Sequence, residues 1–281
     1  MSRNNKQRSK PHGDVGSESI GALPNPLDFI SPTEYVELPS KGKGYPSGHP
    51  LHDQETIEIK FMTAKEEDIL SSRALLKKGI AIERLIESVI CNKNIVANEL
   101  LVGDRNAILI ATRTSAYGNI YSTKVTCPNC ATVTPCDFDL NAAIIYDGKG
   151  LEEYNIQITT KGLFKVVLPI TKFEVEFRLL RGQDEIDMIK KSQKLSKNKV
   201  SEENITDQFR KFVVSVNGYG ERSVIDHVAP KLPAQDSMFL RGAYKKCSPD
   251  IKISNDFTCP SCGNEQELEV PFGADFFWPN R

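Results

Sequence analysis

An α+β fold made of two related halves is the class this sequence predicts, and three observations predict it. TCPNC at 126–130 and TCPSC at 258–262 are almost the same word written twice. A strand pattern followed by an acidic helix start occurs once in each half, as TIEIKF then TAKEEDILSS, and as VEFRLL then QDEID. Between strand and cysteines, LLVGDRNAIL at 100–109 and LPAQDSMFLR at 232–241 each place an aspartate, Asp104 or Asp236, 23 residues before the first cysteine of its pair.

Taken in order, residues 1–30 are polar, carry Gly and Pro and sustain no periodicity, which predicts a flexible N-terminal arm that orders only against a partner. EYVELPSKGKGYPSGHPL at 34–51 reads as a short extended piece entering a turn-rich loop. In it Gly42 and Gly44 permit positive φ, while Pro39, Pro46 and Pro50 prevent helix. Lys41 and Lys43 make this loop locally basic, either as a solvated loop or as a docking loop for a partner. In TIEIKF at 56–61, Ile57, Ile59 and Phe61 alternate with polar residues, the pattern of a half-buried strand. TAKEEDILSS follows as a helix start, with Thr63 as cap and acidic residues in the first turn, where the dipole favours them. Ile82, Leu85, Ile86, Val89 and Ile90 then fall on one face of an amphipathic helix.

The second half repeats this order. Val175, Phe177 and Leu179 stand 118 residues after Ile57, Ile59 and Phe61. Phe209, Phe212, Val213 and Val216 repeat the spacing of Ile82, Leu85, Ile86 and Val89 at an offset of 127, which predicts a helix over 209–217. The nine added residues coincide with the lysine-rich run KKSQKLSKNK at 190–199. From Asp104 and Asp236 onward the offset is 132, and it carries Cys127 onto Cys259 and Cys130 onto Cys262. Matched order and spacing predict an internal repeat with approximate twofold symmetry. Its parts are a first lobe at 31–143 with knuckle 127–130, a connecting segment at 144–168, and a second lobe at 169–281 with knuckle 259–262 and an aromatic C-terminal tail.

A CPxC turn aims two thiolates at one point, and zinc usually takes four ligands in a tetrahedron, so each half supplies half a site. Cys127, Cys130, Cys259 and Cys262 together predict one structural Zn2+ per chain, shared between the lobes, with Lys124 and the knuckle amides as candidate donors to the sulfurs. An iron–sulfur or redox centre, and metal-free or disulfide-bonded cysteines, are the other readings. Four thiolates fill the coordination sphere and leave no position for water or substrate. The same offset places Cys136 on Leu268, so Cys136 is expected to be a core thiol, and Cys91 and Cys247 are expected to be structural thiols. His49 and His52 in GHPLH have ligand-like spacing but no partner ligand nearby, and are expected at the surface. Asp104 and Asp236 read as structural caps at the junction of turn and helix.

Composition narrows the function classes. Thirty-six Lys plus Arg against 37 Asp plus Glu leave a formal charge of −1 on 281 residues, so no global field draws the chain to a phosphate backbone. Apolar runs such as AILIA at 107–111 are far short of the roughly 18 residues of a membrane span. MSRNNKQRSKPHG has no apolar segment after its basic residues, so a secretory signal is not expected. A cytoplasm, or a particle assembled in one, is the expected compartment, and there the seven cysteines are thiols or ligands. The sequence contains no Walker loop, GxSxG elbow, HExxH or GxGxxG motif, and a non-enzymatic protein is expected.

LPSKGKGY (38–45), LLVGDRNAILIATRTSAYG (100–118), VTCPNC (125–130), FTCPSCG (257–263) and PFGADFFWP (271–279) together resemble the baseplate hub protein family of T-even-type contractile-tailed bacteriophages, over roughly residues 31–280. The resemblance implies a structural protein of the tail baseplate, either a hub subunit or a factor that assembles the hub in the cytoplasm of the host bacterium. It implies other baseplate or tail hub proteins as partners in a symmetric assembly. Phe276, Phe277 and Trp278 form an aromatic tail that either anchors on such a neighbour or folds back onto the chain's own core. The alternative is a zinc-ribbon accessory protein that touches nucleic acid through Lys41, Lys43 and the 190–199 run, against which the basic segments are separated and lack interleaved aromatics.

Overall fold

The computed structural model describes residues 30–197, 204–270 and 274–277. The chain begins with an antiparallel hairpin, β1 (Thr33–Glu37) against β2 (Thr56–Lys60), with Val36 opposite Ile57. Strand alternation turns Val36, Ile57 and Ile59 into the core, as the apolar pattern requires. Then come α1 (Ala64–Ser71), α2 (Arg73–Lys78), α3 (Ala81–Val89) and α4 (Val102–Tyr117). Thr63 caps α1, and Glu66 at its third position reaches back to the Thr63 backbone amide at 2.9 Å, closing a capping box. A long hairpin of β3 (Ile120–Thr126) and β4 (Val133–Asp139) carries the first CPxC at its tip, and β5 (Ile144–Tyr146) follows.

The second half opens with β6 (Gln157–Ile158), β7 (Phe164–Val167) and β8 (Glu174–Phe177), followed by α5 (Gly182–Lys197), α6 (Asn204–Phe212) and β9 (Val213–Val216). These strands form one antiparallel sheet in the order β6-β7-β8-β9. After it come α7 (Arg222–Val228), α8 (Ala234–Cys247), β10 (Asp250–Lys252), the second knuckle hairpin of β11 (Ser254–Thr258) and β12 (Glu265–Glu269), and a 3-10 turn at Ala274–Phe277.

One expected element is corrected. The helix predicted over 209–217 stops at Phe212, and Val213–Val216 is the strand β9, with Val213 opposite Phe177. Phe209 and Phe212 fill the inner face of α6, whereas VVSV is a β-branched run that packs better on a pleated surface. The apolar spacing therefore mixes two points of a helix with two of a strand. The first half does the same on a smaller scale: α3 stops at Val89, and Ile90 forms a single antiparallel bridge to Ile59.

The main apolar core runs through both halves, from Leu38 and Ile59 to Phe177, Phe212 and Leu240, and Pro32–Arg281 packs as one compact unit. Backbone links cross between the halves. Val102 N donates to Leu180 O at 3.3 Å, Gly182 N donates to Leu100 O at 3.0 Å, and β5 pairs with β10. Gly103 on α4 is needed where β10 passes: a Cβ there would sit 2.1 Å from the Pro249 carbonyl oxygen. Arg105 binds Glu83 on α3 and lies 3.5 Å from Glu185 on α5, so one buried guanidinium joins three helices.

The aromatic tail folds inward. Phe276 and Phe277 are buried, Phe276 edge-on to Tyr121 at 5.0 Å, with the buried Arg113 guanidinium 5.5 Å from its ring centroid. Of the two readings of the tail, Phe276 and Phe277 follow the one in which it folds back onto the chain's own core. Trp278, residues 1–29 of the arm, and 198–199 of the lysine-rich run lie outside the described residues.

Candidate metal centre

The two knuckles are built alike. β3 and β4 pair Thr126 with Val133, and β11 and β12 pair Thr258 with Glu265, at the same positions relative to their cysteines. In the first, Cys127 N donates to Thr132 O at 2.9 Å and Ala131 N donates to Cys127 O at 2.8 Å. In the second, Cys259 N donates to Asn264 O and Gly263 N to Cys259 O, both at 2.9 Å. Each turn closes with a left-handed residue after its second cysteine, Ala131 at φ 58° and Gly263 at φ 69°. The proline of CPxC fixes φ at the start of the turn, and the left-handed residue reverses the chain so that both thiols point the same way.

Brought together, the sulfurs of Cys127, Cys130, Cys259 and Cys262 all lie within 4.8 Å of one another. Two of the contacts run between the halves: Cys127 Sγ is 3.7 Å from Cys262 Sγ, and Cys130 Sγ is 3.6 Å from Cys259 Sγ. A tetrahedron with zinc–sulfur bonds of about 2.3 Å has edges of about 3.8 Å, so the cluster fits one structural Zn2+ held by four cysteines. The same separations are far beyond the roughly 2.05 Å of a disulfide. All four ligands are protein sulfurs, so the centre is closed.

The surroundings divide the thiols into two kinds. Cys130 and Cys262 are exposed. Contacts with the Thr132 side chain and backbone pull the Cys130 thiol down, and the Asn129 side chain and Asn264 backbone pull down that of Cys262. Cys127 and Cys259 are buried, and burial pushes the Cys259 thiol up. Asn129 Nδ2 donates to Cys262 Sγ at 3.5 Å, across the halves. Lys124, expected in that role, is exposed on β3, and among the described residues its side chain makes no hydrogen bond to the sulfurs. Asn129 lies inside the CPNC word itself, the one signal that pointed to it. Behind the sulfurs Phe257 packs against Cys127 and Cys259, flanked by Val125, Leu268 and Cys136. Cys136, expected to be a core thiol, is half-buried and packs at the edge of the cluster as Leu268 does.

The paired aspartates hold loops. Each is the third residue of its helix, α4 or α8, and each is fully buried. Asp104 accepts from Ser40 N at 3.0 Å, from Ser40 Oγ at 2.7 Å and from the Tyr45 hydroxyl at 2.7 Å, which pins the β1–β2 loop. Asp236 accepts from Ile170 N at 2.8 Å and Thr171 N at 2.9 Å, which pins the β7–β8 loop. The loop at Asp104 presents Lys43 exposed and Lys41 half-buried, the latter in a left-handed conformation at φ 50°. Lys172 in the other loop does the same at φ 57°. His52 is partly exposed, but His49 is not a surface residue: its ring stacks on Tyr45 at 4.6 Å and its side chain is only 8% exposed. The short GHPLH loop folds that ring back over its own turn.

A sequence model of the family described as T4 bacteriophage base plate protein matches residues 31–278. No curated protein and no solved structure matches the chain. Among the described residues, no helix is long and apolar enough to cross a membrane.

Proposed function

We propose that this chain, which belongs to the T4 bacteriophage base plate protein family, is a non-enzymatic part of the baseplate hub of a contractile tail, or a factor that assembles that hub. Family membership and the four-cysteine cluster support a structural, zinc-associated scaffold. The observation that carries the reading is the closed sulfur tetrahedron between two hairpins more than a hundred residues apart. A centre with four protein thiolates has no open position for substrate, and its effect is to hold two distant parts of the chain in one geometry. Rigid presentation of surfaces is what a symmetric multi-protein assembly needs from such a chain.

The scaffold reads as an internal repeat. Its support is the shared order of hairpin, helix, bridging residue, buried helix-start aspartate and CPxC knuckle, with β1–β2 matching β7–β8 and α4 matching α8. On this reading the second unit starts near Phe164 rather than at 169, since β7 pairs with β8 as β1 pairs with β2. The arm at 1–30 serves assembly rather than folding. The test is a complementation assay in the phage that encodes this chain, scored by tail morphology. A chain lacking residues 1–25 should fold and hold zinc normally yet enter hub complexes poorly, and particle yield equal to wild type would remove the arm from the scheme. Loss of the whole chain with normal tails would overturn the hub role itself.

A further inference from the structure

A cleft of about 470 Å³ opens between the two halves, bounded by the β1–β2 loop, the turn after β5, the β6–β7 hairpin and the segment after β8. Its cationic lining residues are Lys41, Lys43, Lys149, Lys161, Arg178 and Arg181, set against one lining carboxylate, Asp147. Lys149 pairs with Asp147, and Arg178 forms a two-point pair with Asp184 at 2.7 and 2.9 Å. Lys41, Lys43, Lys161 and Arg181 have no ion-pair partner among the described residues. A chain of net charge −1 has therefore gathered six cations against one lining carboxylate around one concavity.

The floor of the cleft is apolar, with Leu101, Leu163, Phe164 and Leu179, and Ile158 on the edge strand β6 is 60% exposed beside it. Its loop walls are held in place, because Asp104 fastens Ser40 and Tyr45 on either side of Lys41 and Lys43. We infer that this cleft is a docking site for an acidic, extended peptide segment of a neighbouring protein, its carboxylates on the rim cations and an apolar side chain on the floor. The combination selects that occupant. A phosphate backbone has no use for an apolar floor and gains from stacking on open aromatic faces, whereas Tyr45 is buried with its hydroxyl bound to Asp104 and the half-buried Phe164 ring is already stacked on Phe177 at 5.6 Å. An acidic segment carrying a Leu or Phe uses both surfaces, as in other acidic-motif sites. The inference deepens the scaffold reading by naming a kind of partner.

The test uses the purified, zinc-loaded full chain and fluorescence anisotropy of a labelled Glu-Glu-Leu-Glu-Phe-Glu-Glu peptide. A peptide with Leu and Phe replaced by Ser and a single-stranded oligothymidylate of equal charge run beside it. Saturable binding is expected, with both comparison probes weaker by about tenfold, and Lys43→Glu and Lys161→Glu each weakening the acidic peptide by about tenfold or more. Lys41→Gly is the control for folding. Glycine is the better residue at φ 50°, so this variant should lose affinity with its thermal midpoint unchanged or raised. No saturable peptide binding, or binding untouched by all three substitutions, overturns the docking site. Oligonucleotide bound as tightly as peptide, and lost with the same substitutions, overturns the acidic peptide as occupant in favour of a phosphate backbone. Because binding is read on the isolated chain, its failure is separable from failure of the hub role, which is read in particles.

Discussion

Ala131 and Gly263 occupy the same left-handed position in the two knuckles, but only one of them suits it. A Cβ at positive φ is strained by about 1 kcal/mol, and Gly263 has open space around it, so the difference lies in the backbone alone. Ala131→Gly should raise the stability of the zinc-loaded chain by up to about 1 kcal/mol and Gly263→Ala should lower it by a similar amount. Denaturant midpoints measure both, and a loss in each variant would contradict the matched turns. Glu66 is a second decisive residue. Burial alone would raise its carboxyl pKa, but hydrogen bonds from Lys60, Ser88 and Thr63 outweigh this and bring it down from 4.5 to about 2. A carboxyl with a depressed folded pKa adds stability that is complete above its unfolded value and lost as the pH falls through the folded one. Its share should thus be present above pH 4.5 and disappear on approach to about 2. Glu66→Gln should cost about 2 kcal/mol at pH 7 and much less near pH 2. Denaturation curves at the two pH values decide it, since an equal loss at both would mean that packing, not charge, is what Glu66 supplies.

At the scale of elements, α4 and α8 each use one buried carboxylate to fix a hairpin loop, with different reserves. Burial dominates at Asp104 and raises its pKa despite the bonds from Ser40 and Tyr45. At Asp236 burial acts the same way, but the Ile170 and Thr171 amides outweigh it and lower the pKa. Removing Asp104 strands the buried hydroxyls of Ser40 and Tyr45 beside the Ser40 amide, whereas the amide of Ile170 belongs to a residue that is 53% exposed and within reach of water. Asp104→Ala should therefore cost about 3 kcal/mol and Asp236→Ala about 1–2 kcal/mol. Equal losses would show that both loops are solvated alike. The lysine-rich element also acquires a role: Lys191 pairs with Asp207, and Lys211 with Asp187 at 2.7 Å, so α5 and α6 are clasped by charge.

For the whole molecule, the metal centre and the main core are distinct clusters in contact. Cys127, Phe257 and Cys259 form their own small group, while the larger core takes in helices of both halves, the β1–β2 hairpin and the four-stranded sheet. Zinc removal should accordingly release β3–β4 and β11–β12 first. About one zinc per chain is expected, with sulfur at about 2.3 Å by X-ray absorption. Cys259→Ser should lower zinc content and speed hydrogen exchange in both knuckles, including the one it does not belong to, while α4 and α8 keep their protection. Loosening confined to β11–β12 would mean that the site does not couple the halves. Two metal ions per chain would refute the shared tetrahedron.

The sequence alone determined the local matters: β2 from alternating Ile57 and Ile59, α3 from its apolar stripe, the cap at Thr63, and the four cysteines with the register of Cys136 on Leu268. Each depends on neighbours a few residues away or on a repeated word, and both survive in a linear reading. Tertiary structure alone decided where α6 gives way to β9, because an apolar spacing cannot distinguish a helix face from a helix–strand junction until β8 lies beside it. It decided the fate of Phe276 and Phe277, since only the packed chain shows that Tyr121 and Arg113 leave a place for them. It also placed Lys41 and Lys43 beside Lys161 and Arg181. Those residues come from loops more than a hundred positions apart, and the contacts that join them are set by β5–β10 pairing and the close approach at Gly103. Local chemistry is written along the chain, but a cleft is made by which surfaces the core brings together.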